Sequence, residues 1–530
     1  MKGIVAGGSQ QTVDAGAAML RQGGNAVDAA VAAAFACYLG EIMLATPGGG
    51  GFALVDGPGR DPVLYDFFCS TPGQGEDRRG SGAMDFAPIT VVYESGTSVY
   101  HLGRASSAVP GDIAGLTQLL ADAGTMPLDA VLQPAIRLAR DGFTLNDYHA
   151  YLIKLVDVIF SYDASCLQVY APQGHWIEAG ETYTNPRLAE TLARIAAEGP
   201  ATFYTGALAA DIAADQQAHG GLITADDLAA YRVIKRQPLR FDYQGHTIYT
   251  NPPPSLGGIL IAYAMQLRGR ADLRRMAHND ADHAVLLAEI QRQVTVARLR
   301  DDPGALTAPE AWAAWLDGDR QASDWAAVVM ALAGGGGRLR GPHEPDGPKS
   351  TTHISAIDDS GLCVGLSMTA GETAGYMVGD TGILMNNMLG EEELNPHGFH
   401  QWSPGERLPS MMAPTIVSDA GGMRLIVGSG GAARLRTAIS QLLSNVLDWG
   451  LPVDQAVSRP RVHLQDDVVH LEGGYDPAEA DQIEARGYDV SRWPDIAFYF
   501  GGTHVALRDG DGRFSGAGDA RRGGAVAVVE

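Results

Sequence analysis

The chain has 530 residues, of which 45% are hydrophobic and 19% charged, as in a globular protein with a large core. Its 62 acidic side chains outnumber the 38 basic ones, and the net charge of −24 excludes the basic surface that nucleic-acid binding needs. No apolar run reaches about 18 residues and no apolar leader follows Met1, so we expect a cytoplasmic protein without a membrane-spanning helix.

The first 350 residues are predicted to be mainly helical. Residues 9–40 hold two helices separated by a Gly-Gly pair, and Asn25 and Asp28 favour the start of the second. A glycine turn leads into a strand within 46–57, and "PVLYDFF" alternates as another strand. Helices then dominate 127–215 and 280–333, and a proline-rich turn, "NPPPSLGG", precedes a buried helix between them.

The pattern changes after a Gly- and Pro-rich stretch at 334–350, which predicts a mobile loop. Beyond it, strands dominate, with one helix in "LRTAISQLLSNVLDWG". We therefore predict two parts: residues 1–350, mostly helical with the loop as a tail, and residues 351–530, mostly strand.

Two threonines are brought together by a predicted hairpin in "TTHISAIDDSGLCVGLSMT". The turn "DDSG" joins two alternating strands, so Thr351 faces Met368 or Thr369. If the bond after Ser350 were cut, Thr351 would carry a free α-amine beside its hydroxyl, and such an amine is the base for an N-terminal threonine nucleophile. The alternative is that these threonines only stabilise a sheet.

A second motif is the glycine cluster "VGSGGAARLR" at 427–436, which follows a strand and opens a helix. Backbone N–H groups at such a junction can hold an oxyanion. A phosphate site is the rival interpretation, but the lysine of a P-loop is missing, so a nucleotide-binding enzyme is disfavoured. A simple tight turn also fits.

Together these stretches resemble the γ-glutamyltranspeptidase family of N-terminal nucleophile hydrolases. The resemblance runs through nearly the whole chain, in order. The fragments that carry it are "GGNAVDAAVAAA", "GGGGFALV", "NPPPSLGG", "TTHISAID", "GILMNN", "SMMAPTIV", "GSGGAARLR", "RPRVHLQ" and "SGAGDARR". The resemblance implies an α+β fold, an αββα sandwich forming one large globule from two subunits made by self-cleavage.

The resemblance also implies roles for particular residues. The precursor would cut itself between Ser350 and Thr351, and Thr351 would become the nucleophile. Thr369 matches the family's second threonine, near the amine. Gly431 and Ala432 match the backbone donors of the oxyanion hole, although the family has a second glycine where Ala432 stands.

The family's site for the glutamyl α-carboxylate and α-amine is only partly retained. No arginine aligns after "YDFFCSTP", and the paired serines appear as Ser410 and Met411. Gly371 replaces an asparagine, Met388 a glutamine, and Glu391 an aspartate. We therefore expect retained chemistry with a changed substrate.

Two further side chains near these motifs have alternative interpretations. Arg104 is the candidate for a replacement positive charge at the carboxylate, with a solvated loop arginine as the alternative. His353 is more consistent with a packed or solvated strand histidine than with a site residue.

The leading hypothesis is a γ-glutamyltransferase-like amide hydrolase or acyltransferase, with a place in glutathione metabolism implied by the resemblance. Its partners would be a small acyl amide and a water or amine acceptor. The alternatives are an amidohydrolase or acylase for a non-glutamyl acyl amide, and an inactive homologue that only binds. No cofactor or metal is expected, because the four cysteines are widely spaced and fit buried thiols.

Overall fold

The computed structural model describes residues 1–73, 83–93, 96–317, 320–335 and 350–530. The predicted mobile loop at 334–350 lies almost wholly outside these ranges. The strands are β1 Gly3–Gly7, β2 Gly50–Asp56, β3 Val63–Phe67, β4 Ala87–Tyr93, β5 Gly96–Leu102, β6 Phe143–Thr144, β7 Thr182–Tyr183, β8 Ile234–Arg236, β9 Leu239–Tyr243, β10 His246–Thr250, β11 Thr352–Asp358, β12 Cys363–Thr369, β13 Thr415–Ser418, β14 Arg424–Gly428, β15 Val462–Gln465, β16 Val468–Leu471, β17 Asp489–Arg492, β18 His504–Arg508, β19 Phe514–Ala517 and β20 Ala525–Val529.

The α-helices lie outside and between these strands. They are α1 Gln10–Arg21, α2 Ala26–Gly40, α3 Asp112–Ala123, α4 Leu128–Asp141, α5 Asp147–Leu155, α6 Asp157–Phe160, α7 Ala164–Tyr170, α8 Pro186–Glu198, α9 Ala201–Tyr204, α10 Ala207–Ala218, α11 Ala225–Ala230, α12 Gly257–Arg268, α13 Ala281–Asp301, α14 Pro309–Asp317, α15 Arg320–Met330, α16 Arg434–Leu447, α17 Val453–Ser458 and α18 Pro477–Ala485. None of the helices that the structure describes is both long and apolar enough to cross a membrane.

Two antiparallel sheets form the centre of the molecule. The first has the strand order β20-β1-β11-β12-β2-β3-β8, and the second β19-β18-β14-β13-β10-β9. Helices α1 and α2 pack on the first sheet, α12 and α16 pack beside the second, and β11 and β12 contact β18 and β14 across the interface between the sheets. The predicted αββα sandwich is confirmed.

Each sheet contains strands from both sides of the Ser350–Thr351 bond. Strands β1, β2, β3 and β8 precede it, and they share the first sheet with β11, β12 and β20. Strands β2 and β3 were expected from the sequence, whereas β1, β8, β9 and β10, which also precede the bond, were not predicted. Because β11 lies between β1 and β12, its first residues sit in the middle of the molecule.

The local signals at the N-terminus have the expected effect. The side chain of Asn25 accepts from the N–H of Asp28, and the Asp28 carboxylate accepts from the N–H of Asn25, which is a capping box. All of α2 is buried, because its alanine-rich surface contacts α1, α4, β11 and β12. This close packing supports the sheet from which the candidate nucleophile emerges.

Candidate active site

Thr351 directly precedes β11 and is buried, with only 4% of its surface exposed. It lines a pocket together with Thr369, Gly371, Glu391, Ser410, Met411 and Ala432. The sequence had assigned all of these positions to the site from separate motifs. The fold brings them together around the Ser350–Thr351 peptide bond.

The hairpin register puts the second threonine beside this bond. Thr352 lies opposite Met368, so Thr351 is opposite Thr369, as one of the two predicted registers required. The Thr369 hydroxyl donates to the carbonyl oxygen of Ser350 and accepts from the N–H of Gly371 at 3.0 Å. In the uncut chain, Thr369 therefore contacts the carbonyl that a Thr351 hydroxyl would attack.

The residue before the bond is held by a carboxylate that the sequence motifs did not predict. Glu372 accepts from both the N–H and the hydroxyl of Ser350, each at 3.0 Å. Glu372 and Ser350 are both 1% exposed. The sequence indicated Glu372 only by its position three residues after Thr369. In that segment the comparison with the family had drawn attention to Gly371 instead.

Gly371 has the positive φ of +65°, and its lack of a side chain lets two polar groups approach. A Cβ there would lie 2.2 Å from Asn387 Oδ1 and 2.3 Å from Glu391 Oε1. Those same two oxygens accept from the N–H of Glu372, at 2.8 and 3.1 Å. Glycine at this position therefore allows Glu391 to reach the turn that carries Thr369 and Glu372.

The glycine loop after β14 approaches the nucleophile from the other side. A Cβ at Gly430 would lie 2.2 Å from the carbonyl oxygen of Thr351, so only glycine fits there. Gly431 has φ +116° and Ala432 has φ +51°, a left-handed conformation that costs an alanine about 1 kcal/mol. The loop then enters α16, and such helix starts favour developing negative charge.

Two more polar contacts anchor the strand that carries Thr351. The Arg522 guanidinium donates to the Thr351 carbonyl at 3.3 Å, and burial lowers the pKa of Arg522 to about 10. The buried Glu41 carboxyl accepts from the hydroxyls of Thr352 and Thr12, the latter at 2.6 Å. Burial raises the pKa of Glu41 to about 6. The motif "DARR" contained Arg522 without indicating this contact, and nothing in the sequence pointed to Glu41.

The rest of the pocket is apolar and acidic. Phe68, Met388, Leu394, Met411 and Met412 supply apolar surface, and Phe68 stacks on Phe52 with ring centroids 5.5 Å apart. The charged side chains among the described lining residues are Glu391 and Glu393, and no arginine, lysine or histidine joins them. The Ser410 hydroxyl accepts from the N–H of Met412 at 3.0 Å.

The structure does not bring Arg104 into this pocket, so its expected role at a substrate carboxylate is not supported. Its guanidinium pairs with Asp163 at 2.8 Å, Asp215 at 3.4 Å and Asp85 at 3.5 Å. It also lies over the ring of Tyr376, 4.2 Å from the centroid. Because the guanidinium is ion-paired with three carboxylates outside the pocket, we assign Arg104 a structural role.

His353 is a packed strand histidine, as the sequence favoured. It is fully buried between the two sheets, where its ring nitrogens contact Ser367 Oγ at 2.8 Å and Ser355 Oγ at 3.0 Å. Burial keeps the pKa of His353 well below its usual value, so the ring is neutral. The four cysteines are free and buried, as predicted.

Comparison with known proteins agrees with this geometry. The family description of γ-glutamyltranspeptidase matches residues 12–529. The glutathione hydrolase proenzyme of Escherichia coli (strain K12) is 32% identical, with 98% of this chain and 90% of that protein covered. The acylase ACY 1 proenzyme of Pseudomonas sp. (strain SE83) is 30% identical, covering 97% of this chain and 91% of the relative.

A solved structure supports the fold independently. The crystal structure of cephalosporin acylase from Bacillus halodurans superposes with a TM-score of 0.84, covering 100% of this chain and 96% of that one, at 24% sequence identity. At that identity the likeness speaks for the fold alone. The sequence matches extend over both sides of the Ser350–Thr351 bond, and they confirm the resemblance seen in the motifs. The chain belongs to the γ-glutamyltranspeptidase family.

Proposed function

We propose that this enzyme cuts itself between Ser350 and Thr351, and that the freed Thr351 then hydrolyses small acyl amides or transfers their acyl groups. The observation that carries the proposal is the Thr369 hydroxyl, which donates to the Ser350 carbonyl oxygen inside a pocket lined by Thr351. Hydrogen bonding of this kind polarises the carbonyl for attack. Both relatives reported above are named as proenzymes, which supports self-cleavage in this chain.

The cleavage step moves the Ser350 acyl group from nitrogen to oxygen. Thr351 Oγ bonds to the Ser350 carbonyl carbon, the bond from that carbon to the Thr351 nitrogen breaks, and the hydroxyl proton ends on that nitrogen. Water then hydrolyses the resulting ester, which leaves a carboxylate on Ser350 and a free hydroxyl and amine on Thr351. The products would be a large subunit, 1–350, and a small subunit, 351–530.

Both subunits would stay together after cleavage, because each central sheet takes strands from both. In turnover, the Thr351 amine, with an ordinary pKa near 8, takes the proton from the Thr351 hydroxyl as the oxygen attacks the substrate carbonyl. Backbone N–H groups of Gly431 and Ala432 would stabilise the oxyanion. The leaving amine receives the proton, and water or an acceptor amine releases the acyl group from Thr351.

For the substrate, we infer an acyl group without an α-carboxylate. The described pocket lining offers two carboxylates, Glu391 and Glu393, and apolar surface, and Arg104 is engaged elsewhere. Among the described lining residues a buried substrate carboxylate meets no cation, which costs several kcal/mol, whereas an ammonium group is attracted by the negative charge of this lining. An acylase of this kind is the second candidate function, and the relative named acylase ACY 1 supports it. A role in glutathione metabolism and the cytoplasmic location stay predictions.

Processing is tested on a denaturing gel with N-terminal sequencing. Wild type should give two bands, with Thr351 at the new N-terminus. Thr351→Ala should stay as one chain, and Thr351→Ser, which keeps a hydroxyl, should still be cut. A single uncut band from wild type would leave the inactive binding homologue as the better interpretation.

Substrate choice is tested with three matched p-nitroanilides: γ-glutamyl, 4-aminobutyryl, which lacks only the carboxylate, and glutaryl, which lacks only the ammonium. We expect the 4-aminobutyryl compound to have the highest kcat/KM, because it keeps the group that Glu391 can bind. If the γ-glutamyl compound wins by more than about tenfold, or about 1.4 kcal/mol, the changed-substrate proposal is wrong.

A further inference from the structure

Ser350 is held on every polar atom that it possesses. Its N–H and hydroxyl each donate to a different oxygen of Glu372 at 3.0 Å, and its carbonyl accepts from the Thr369 hydroxyl. Ser350 is 1% exposed. Buried polar atoms are normally paired, but here all three partners of one residue come from Thr369 and Glu372, which lie close together at and just after the end of β12.

The groups that hold Ser350 come from a single rigid turn. Thr369 ends β12, Gly371 donates to the Thr369 hydroxyl, and the N–H of Glu372 is fixed by Asn387 and Glu391. The carboxylate and the hydroxyl therefore belong to one hydrogen-bonded turn. One contact acts on the carbonyl of Ser350, and the other two act on its nitrogen and side chain.

Attack by Thr351 Oγ on the preceding carbonyl passes through a five-membered ring made of the Ser350 carbonyl carbon and Thr351 N, Cα, Cβ and Oγ, so it requires one narrow orientation of the Ser350–Thr351 peptide plane relative to the Thr351 side chain. Fixing that orientation in advance removes an entropic part of the barrier. The Glu372 side chain offers one acceptor oxygen to each of the two Ser350 donors, whereas an amide side chain would have a single acceptor oxygen. Glu372 is also absent from the described lining of the pocket, whereas Thr351, Thr369 and Glu391 are part of it.

We propose that Glu372 is a positioning residue for self-cleavage, which holds Ser350 so that its carbonyl faces the Thr351 hydroxyl. The inference rests on the proposed function, because it assigns a residue to the cleavage step. It adds a group that holds the residue before the cut bond.

The test measures cleavage of freshly translated chains in a cell-free system, followed as two bands on a gel over time. Glu372→Gln keeps the size of the side chain but leaves one acceptor oxygen for two donors, so cleavage should slow by roughly ten- to a hundredfold. Ser350→Ala removes one donor and should slow cleavage less. Glu392→Gln, an exposed glutamate in the same loop, should cut at the wild-type rate.

The double variant separates positioning from general damage. If Glu372 acts through Ser350, Glu372→Gln should have a clearly smaller effect in the Ser350→Ala background than in wild type. Independent, fully multiplying effects would overturn the proposal, as would a wild-type cleavage rate for Glu372→Gln, even if its turnover were lost.

Failure of the proposed function and misfolding of the variant can each be distinguished from failure of this proposal. If wild type itself does not cut, the proposed function fails, rather than this inference alone. Folding of Glu372→Gln is checked by thermal unfolding in the Thr351→Ala background. If this variant does not fold, the cleavage rate of Ser350→Ala is compared with that of wild type instead, and equal rates would overturn the proposal.

Discussion

Replacing Thr369 by valine would test the contact at the centre of the site. Valine has nearly the shape of threonine, so the pocket should keep its form while the hydroxyl is lost. Two hydrogen bonds disappear: the donation to the Ser350 carbonyl and the acceptance from the N–H of Gly371 at 3.0 Å. The first bears on the reaction, and the second bears on the stability of the turn.

The two losses have different sizes. Removing one donor from an oxygen on which negative charge develops costs about 3 kcal/mol, or roughly a hundred- to a thousandfold in rate. Leaving the buried N–H of Gly371 without its acceptor costs about 1–3 kcal/mol of folding free energy. We expect self-cleavage to slow by about a hundredfold or more. Turnover of the processed enzyme should fall by roughly ten- to a thousandfold, because the same hydroxyl would orient the Thr351 amine.

The assay pairs the cleavage time course with thermal unfolding in the uncut Thr351→Ala background. Thr250→Val is the matched control, because it removes an equally buried hydroxyl that bonds to the hydroxyl of Thr415 at 3.0 Å, away from the pocket. The control should lose a similar stability and still cut normally. Normal cleavage in Thr369→Val would refute the role of this hydroxyl.

Three further outcomes are expected. Gly371→Ala should destabilise the fold by about 3 kcal/mol and displace Glu391. The control Gly450→Ala, at φ +62° with open space around it, should cost only the backbone strain of about 1 kcal/mol. Equal melting temperatures of the two variants would contradict the steric argument. Because the folded pKa of Glu41 is about 6 and its ordinary value is 4.5, the stability that this group contributes is complete below pH 4.5 and is lost as pH rises through 6, by about 2 kcal/mol. Glu41→Gln should lack this fall when unfolding is compared at about pH 4 and pH 8. Arg104→Met should destabilise the protein by about 3 kcal/mol, because three carboxylates lose their partner. The ratio of kcat/KM between the 4-aminobutyryl and γ-glutamyl substrates should stay the same. A changed ratio would mean that Arg104 acts at the substrate site.

Much of the framework could be predicted from the sequence, because it depends on short-range signals. The cap at Asn25 and the turn between β11 and β12 act over three or four residues, and both have the expected form. The register of that hairpin follows from its turn, so the residues of the hairpin alone predicted that Thr351 lies opposite Met368 or Thr369. The glycine cluster was also visible as a motif of its own, and the motif resemblance added the positions of Glu391 and Ser410.

The contacts between distant parts of the chain were decided only by the tertiary structure. Thr352 meets Glu41 across 311 positions, and Thr351 meets Arg522 across 171. Arg104 was the sequence candidate for a positive charge at a substrate carboxylate, but three carboxylates brought in by other elements hold it elsewhere. Glu372 is near Thr369 in sequence, yet its contact with Ser350 exists only because β11 and β12 pair and the following turn folds back. A local pattern fixes the conformation of a few residues, whereas the partner of a buried polar group is chosen by which elements pack around it and which of them offer the best hydrogen bond.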